Sequence, residues 1–98
     1  DAQKIVFFAR YFSWAHDAIE NFIRHGGLFK AWFESPKVAA PLRHVEGDYH
    51  GPLALGESAQ ALVYVSEVGQ TSTTFEVHFV KNKKAVAIIR TVHVFVDQ

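Results

Sequence analysis

Residues 8–25 read FARYFSWAHDAIENFIRH, and Gly26-Gly27 follows directly. Within that run Phe8, Phe12, Ala15, Ile19, Phe22 and Ile23 recur at intervals of 4, 3, 4, 3 and 1. That spacing lines one face of a helix with 3.6 residues per turn. Asp17, Glu20, Asn21 and Arg24 take the opposite side. Arg24 and His25 stand in the last turn, where cations suit the helix dipole. Glycine then supplies the left-handed residue that ends many helices. The pattern predicts a helix over 8–25, entered by a turn from Ile5.

Beyond the helix the period changes. Leu28 to Lys37 is irregular, and Phe29, Trp32 and Phe33 fit a short second helix or a packed loop ended by Ser35-Pro36. Val38 to Tyr49 reads as an edge or bent strand, because Pro41 lacks the N–H that a ladder needs. Ala59, Ala61, Val63 and Val65 alternate within Ser58 to Val68, the mark of a half-buried strand. After Gly69-Gln70, the residues Phe75, Val77 and Phe79 share one face, opposite Thr74, Glu76 and His78. Asn82-Lys83 turns the chain into a last strand over Ala85 to Val96. Turns this short predict an antiparallel meander of the last three strands. The fold class is α+β: one long helix, then four strands. An antiparallel sheet must cover one apolar face, and the Phe-rich helix is the long cover available, so the sheet is expected to curl around it.

With 98 residues there is room for one small domain, here residues 1–98. Hydrophobic residues make up 49% of the chain, enough for a packed core, although a core this size gains from a partner subunit. Ten basic and ten acidic side chains cancel, which disfavours broad capture of nucleic acid. Six His make the net charge rise as pH falls through about 6.5. Without Cys there is no disulfide, thiolate nucleophile or Cys-based zinc site. No apolar run approaches the roughly 18 residues of a membrane helix, so no membrane partner is expected. With no Met in the chain, Asp1 is expected to follow residues removed or left out, a preceding element among them.

Asp1-Ala2-Gln3-Lys4-Ile5-Val6-Phe7-Phe8-Ala9-Arg10-Tyr11 resembles the signature of hotdog-fold acyl-CoA thioesterases. The resemblance is nearest to the 4-hydroxybenzoyl-CoA and 1,4-dihydroxy-2-naphthoyl-CoA thioesterase group. Asp1, Ile5, Val6, Phe7, Phe8 and Tyr11 match, and Trp14 fits an aromatic further along the helix. Later stretches agree in order: Val45 to Leu53 before Gly56-Glu57, Thr74-Phe75-Glu76-Val77, and Val92 to Asp97. Two features depart from the family. Lys4 stands where it usually has Gly, and the strand that precedes the Asp is missing here.

The resemblance implies hydrolysis of an acyl-CoA or aroyl-CoA thioester to free acid and CoA, in the cytoplasm, by a homo-oligomer whose sites lie between subunits. It implies no metal and no organic cofactor. Asp1 would be the nucleophile or the general base, two roles that the residues alone leave open. The backbone N–H of Phe8, at the expected helix start, would polarise the thioester carbonyl. Phe7, Tyr11, Trp14 and Phe33 are candidates for an acyl pocket. Ser72 and Thr73 match a stretch near CoA. The cations Lys81, Lys83, Lys84 and Arg90, with Arg43, suit its phosphates. Among the histidines, His50 has the best case for touching substrate. Asp48, Glu57, Asp17 and Glu20 are candidate second carboxylates. His44 and His50 are six residues apart on one strand, too sparse a pair for a metal site. One rival is a hydroxyacyl dehydratase, whose site His and helix-start motif are not found in the sequence. The other is a binding module for acyl-CoA or an aromatic acid, or an inactive truncated thioesterase.

Overall fold

The computed structural model describes residues 2–26, 38–39, 41–51, 53 and 57–97, and for 2–8, 38–39, 96 and 97 it describes the backbone alone. The elements run α1 (Ala2–His25), β1 (Val38–Ala39), β2 (Leu42–Tyr49), β3 (Gln60–Val68), β4 (Ser72–Lys81), β5 (Lys84–Val94) and β6 (Val96–Asp97). β2, β5, β4 and β3 lie side by side in that order, every neighbouring pair antiparallel. The expected meander is therefore present as β3-β4-β5, and β2 returns to pair with β5.

The core lies where α1 crosses this sheet. Tyr11, Ala15, Ile19 and Ile23, spaced four apart, are the helix residues that vanish from solvent. Phe12, Ala18 and Phe22 flank them. Against this stripe the sheet presents Phe75, Val77 and Phe79 from β4 and Ala87 and Ile89 from β5. Those positions follow the alternation of a strand with one buried face. The polar helix residues Asp17, Glu20, Asn21 and Arg24 are exposed, as the periodicity requires.

Two boundaries differ from expectation, while the helix ends at His25 as expected. The helix starts at Ala2 rather than near Phe8. The run Lys4-Ile5-Val6-Phe7 contains neither Gly nor Pro, so nothing local breaks it. Gly26 closes the helix by donating to the Ile23 carbonyl at 3.4 Å, and its φ is not left-handed. The expected single strand over 38–49 is broken around Pro41: β1 pairs with β6 and β2 with β5. Pro41 still accepts a bond from the Val94 N–H at 3.2 Å, using the carbonyl that a proline retains. The expectation of a second helix or packed loop over 28–37 lies outside the described residues.

Gly47 faces the helix at a tight crossing. A Cβ there would sit 2.8 Å from Ile89 Cδ1 and 3.3 Å from Phe12 Cζ. Its lack of a side chain lets Phe12 lie against the sheet. At the β4–β5 turn, Asn82 and Lys83 both have positive φ, 51° and 66°. These are the signs of the hairpin turn that prefers Asn-Gly. Asn tolerates that region and Lys does not.

Replacing Lys83 by Gly is expected to raise stability by about 0.5–1 kcal/mol, a gain of roughly 2–6 °C in Tm. Gly47→Ala is expected to cost about 1–2 kcal/mol by overpacking. Thermal melts of the two variants beside the parent chain check both signs.

Candidate active site

The end of the sheet that carries the β4–β5 hairpin gathers most of the chemistry. There β2 runs out, and the N–H groups of His50 and Gly51 both donate to the Val86 carbonyl, at 2.8 and 3.2 Å. That shared acceptor holds the start of the loop against the hairpin. Between them is a cavity of about 330 Å³ lined by His50, Gly51, Lys81, Asn82, Lys84, Ala85 and Val86. Two lysines, an imidazole and a turn amide make its walls cationic or hydrogen-bond-donating. A phosphate-bearing ligand fits that chemistry.

Lys81 does not stand alone. Glu57 approaches its ammonium with both oxygens, at 2.9 and 3.1 Å. The two residues are 24 apart in sequence, and no spacing motif could have announced the pair. Lys84 has no carboxylate partner among the described residues.

Next to this cavity is an aromatic cluster built on Tyr11. Its ring meets Trp14 at 5.4 Å, Phe79 at 5.0 Å and Tyr49 at 6.2 Å between centroids. Burial, and then the neighbouring Tyr49 hydroxyl, push the Tyr11 phenol up from its ordinary value. It stays protonated at neutral pH. Tyr11 is wholly buried, so it forms the centre of the core rather than the wall of an open pocket, as the sequence had suggested. Trp14 and Tyr49 keep 39% of their surfaces exposed and form the accessible rim of the cluster. Tyr49 was not anticipated; its signal was its position beside His50.

A second cavity, of about 490 Å³, opens between α1 and β3. It is lined by Ala18, Asn21 and Phe22 of the helix and by Ala61 to Tyr64 of the strand. Its lining includes Asn21 and Tyr64 but no carboxylate, imidazole or amine. Among the described residues no three metal-ligating side chains converge.

A family profile for the thioesterase-like superfamily matches residues 1–98. The chain belongs to that superfamily. Over 99% of its length it is 31% identical to a 1,4-dihydroxy-2-naphthoyl-CoA hydrolase of Crocosphaera subtropica, covering 74% of that protein. A 1,4-dihydroxy-2-naphthoyl-CoA hydrolase of Prochlorococcus marinus is 27% identical over 99% of the chain and 70% of its own length. Among solved structures, a gentisyl-coenzyme A thioesterase superposes with a TM-score of 0.80 at 22% identity, covering all of this chain and 80% of that one. A protein of Aquifex aeolicus does so with a TM-score of 0.80 at 25% identity, over 100% and 78%. The hotdog fold and the class of enzyme, a hydrolase acting on thioester bonds, are thereby met.

The superfamily frame shows how the expected site residues are distributed. His50 and Lys84 meet at the hairpin cavity. Ser72 and Thr73 begin β4 at its far end, nine residues from Lys81, or roughly 30 Å at about 3.3 Å per residue. Thr73 is fully buried on the helix side. Arg90 stands mid-strand on the outer face, not with the hairpin lysines. There Glu46, Arg90, Glu76 and Tyr64 fall in one row across all four strands. Arg90 donates to Glu76 at 2.8 Å and lies 3.9 Å from Glu46, so its cation is already engaged. His44 flanks Glu46 at 3.9 Å, away from His50. Of the acids, Asp17 and Asp48 are exposed, and Glu20 pairs with His16 at 3.0 Å. Phe7 and Phe8 lie in the backbone of α1, whereas Asp1, Phe33 and Gly56 fall outside the described residues. In a helix from Ala2, the N–H groups without intrahelical acceptors belong to residues 2–5, and Phe8 comes after them.

The outer row yields a pH dependence. A hydrogen bond from His78 at 3.0 Å, and after it the hydrogen bond and the charge of Arg90, hold the Glu76 carboxyl below its ordinary value despite partial burial. A depressed carboxyl contributes stability above its unfolded pKa and loses it as pH falls through the folded one. Melting temperature is expected to drop between about pH 6 and about pH 3 more steeply in the parent chain than in Glu76→Gln. Parallel slopes would remove Glu76 from the acid response.

Proposed function

We propose that this chain hydrolyses an aroyl-CoA thioester, with a hydroxylated fused-ring acyl group as the first substrate to try. The observation that carries this reading is the match of the superfamily across all 98 residues, with relatives that act on 1,4-dihydroxy-2-naphthoyl-CoA. The cationic cavity at the hairpin and the exposed Trp14 and Tyr49 nearby support it. One suits the phosphates of CoA, the other an aromatic ring.

Asp1 is the proposed carboxylate. As a base it takes a proton from water while the hydroxide oxygen adds to the thioester carbon. The tetrahedral intermediate then expels CoA thiolate, which recovers the proton. As a nucleophile it would add directly, and the intermediate would expel CoA thiolate to leave an anhydride; water then opens the anhydride and supplies the proton that the thiolate takes up. In both routes charge gathers on the carbonyl oxygen, and N–H groups at a helix start can stabilise it. Residues 2–5 offer such groups beside Asp1. For the Phe8 amide to serve, the chain ahead of it must leave the helix, and Lys4 in the usual Gly position bears on how readily that turn forms. Phe7 and Ser72 remain proposed contacts, whereas Tyr11 and Thr73, which have no exposed surface, and Arg90, which is held by Glu76 and Glu46, are not among them. The hairpin cavity and the start of β4 are too far apart to serve one ligand within a single chain, which favours a dimer with sites between subunits. The exposed Tyr64 and Val68 on edge strand β3 are further surface such a dimer would cover.

Free-thiol release from a panel of aromatic and aliphatic acyl-CoAs tests the reaction. Asp1→Asn is expected to lower turnover by about 10²-fold or more, with fold and association state unchanged. Unaltered turnover removes Asp1 from the mechanism. CoA binding without release of thiol from any substrate points instead to a binding module.

A further inference from the structure

The hairpin cavity holds a cation pair of unequal standing. Lys84 is exposed, with no carboxylate partner among the described residues. Lys81 is chelated by Glu57, whose side chain keeps 39% of its surface exposed while that of Lys81 keeps 21%. An anion entering between Lys81, Lys84 and His50 meets two cations, one of them already paired with a carboxylate of the anion's own sign. It can take full hold of Lys81 only by loosening Glu57.

We propose that Glu57 is an affinity-limiting residue of the anion site. It competes with the phosphates of the CoA half for the Lys81 ammonium. This rests on the thioesterase reading above and deepens it. The chemical reason lies in the reaction. CoA keeps every phosphate it had as a thioester, so the phosphate site binds substrate and product equally. Such uniform binding does nothing for the bond-breaking step, and made too tight it holds back the product. A carboxylate beside the site weakens both complexes together and keeps release fast. Glu57 acts through Lys81 and touches no reacting atom, so it is a positioning residue.

Calorimetric titration with coenzyme A, and with pantetheine as a phosphate-free control, tests this without requiring turnover. Glu57→Gln keeps the shape and removes the charge. It is expected to tighten CoA binding about two- to fivefold, the range of a partly exposed ion pair, and to leave pantetheine unmoved. In Lys81→Gln, CoA binding weakens, and adding Glu57→Gln to that background has no further effect. The expected change in hydrolysis is a lower KM for an aroyl-CoA but not for the matching pantetheine thioester. Equal or weaker CoA binding by a folded Glu57→Gln protein overturns the proposal, as does a charge effect that persists without Lys81. If Glu57→Gln does not fold, the proposal stands or falls on Glu57→Asp. The shorter acid is expected to loosen the pair and tighten CoA, and unchanged affinity overturns the idea. Hydrolysis that proceeds while CoA affinity ignores Glu57 refutes this inference alone. A Glu57-dependent CoA affinity without hydrolysis refutes the thioesterase reading and keeps the inference.

Discussion

The packing of one helix stripe against one sheet face holds this protein together. Tyr11, Ala15, Ile19 and Ile23 lie on Phe75, Val77, Phe79, Ala87 and Ile89, and these residues together with Val86 make up the buried apolar core. Each other feature takes its position from that contact. Tyr11 brings Phe79 and Tyr49 together at the hairpin end, and Phe22 meets Phe75 at 6.1 Å at the other. Gly47 matters because a side chain there would push Phe12 and Ile89 apart.

The same contact gives the sheet two unlike faces. The inner face is apolar, except at the start of β4 and the end of β5, where Thr73 and Thr91 are buried and the His93 ring packs on Phe75 at 5.6 Å. The outer face carries the charged row through Glu46, Arg90 and Glu76, continued by His78 and by the ring of Tyr64 at 4.7 Å from it. A cation in that row is bound to acids on neighbouring strands and structures the sheet. At the hairpin, Lys81 and Lys84 form the last rung: Lys81 is paired with Glu57, and Lys84 has no carboxylate partner among the described residues. Whether an Arg or Lys can meet a phosphate is thus settled by which acids the fold brings to it.

Much of the fold was legible. A helical period covers the first quarter of the chain, and alternation at Phe75, Val77 and Phe79 marks a half-buried strand. Short turns left little choice but a meander. The exact helix stripe was less so: Phe12 and Phe22 turned out to be flanks, with Tyr11 at the centre. Aromatic bulk on both sides of a helix blurs its face, and only the sheet decides which ring it takes in. The helix start was misjudged because the apolar spacing was followed only from Phe8, and Ile5-Val6-Phe7 was read as a turn although nothing in it stops a helix.

The sequence by itself determined the class of fold, the order of its elements and the kind of chemistry, since these follow from periodicity, turn residues and a motif that is local in the chain. It could not say that Lys81 would meet Glu57, that Arg90 would be held by Glu76, or that Ser72 and Lys84 would sit at opposite ends of the sheet. Those facts depend on strand register and on contacts between residues far apart in the chain. Only the tertiary structure decided them, because a charge finds its partner through space once the core has placed the strands.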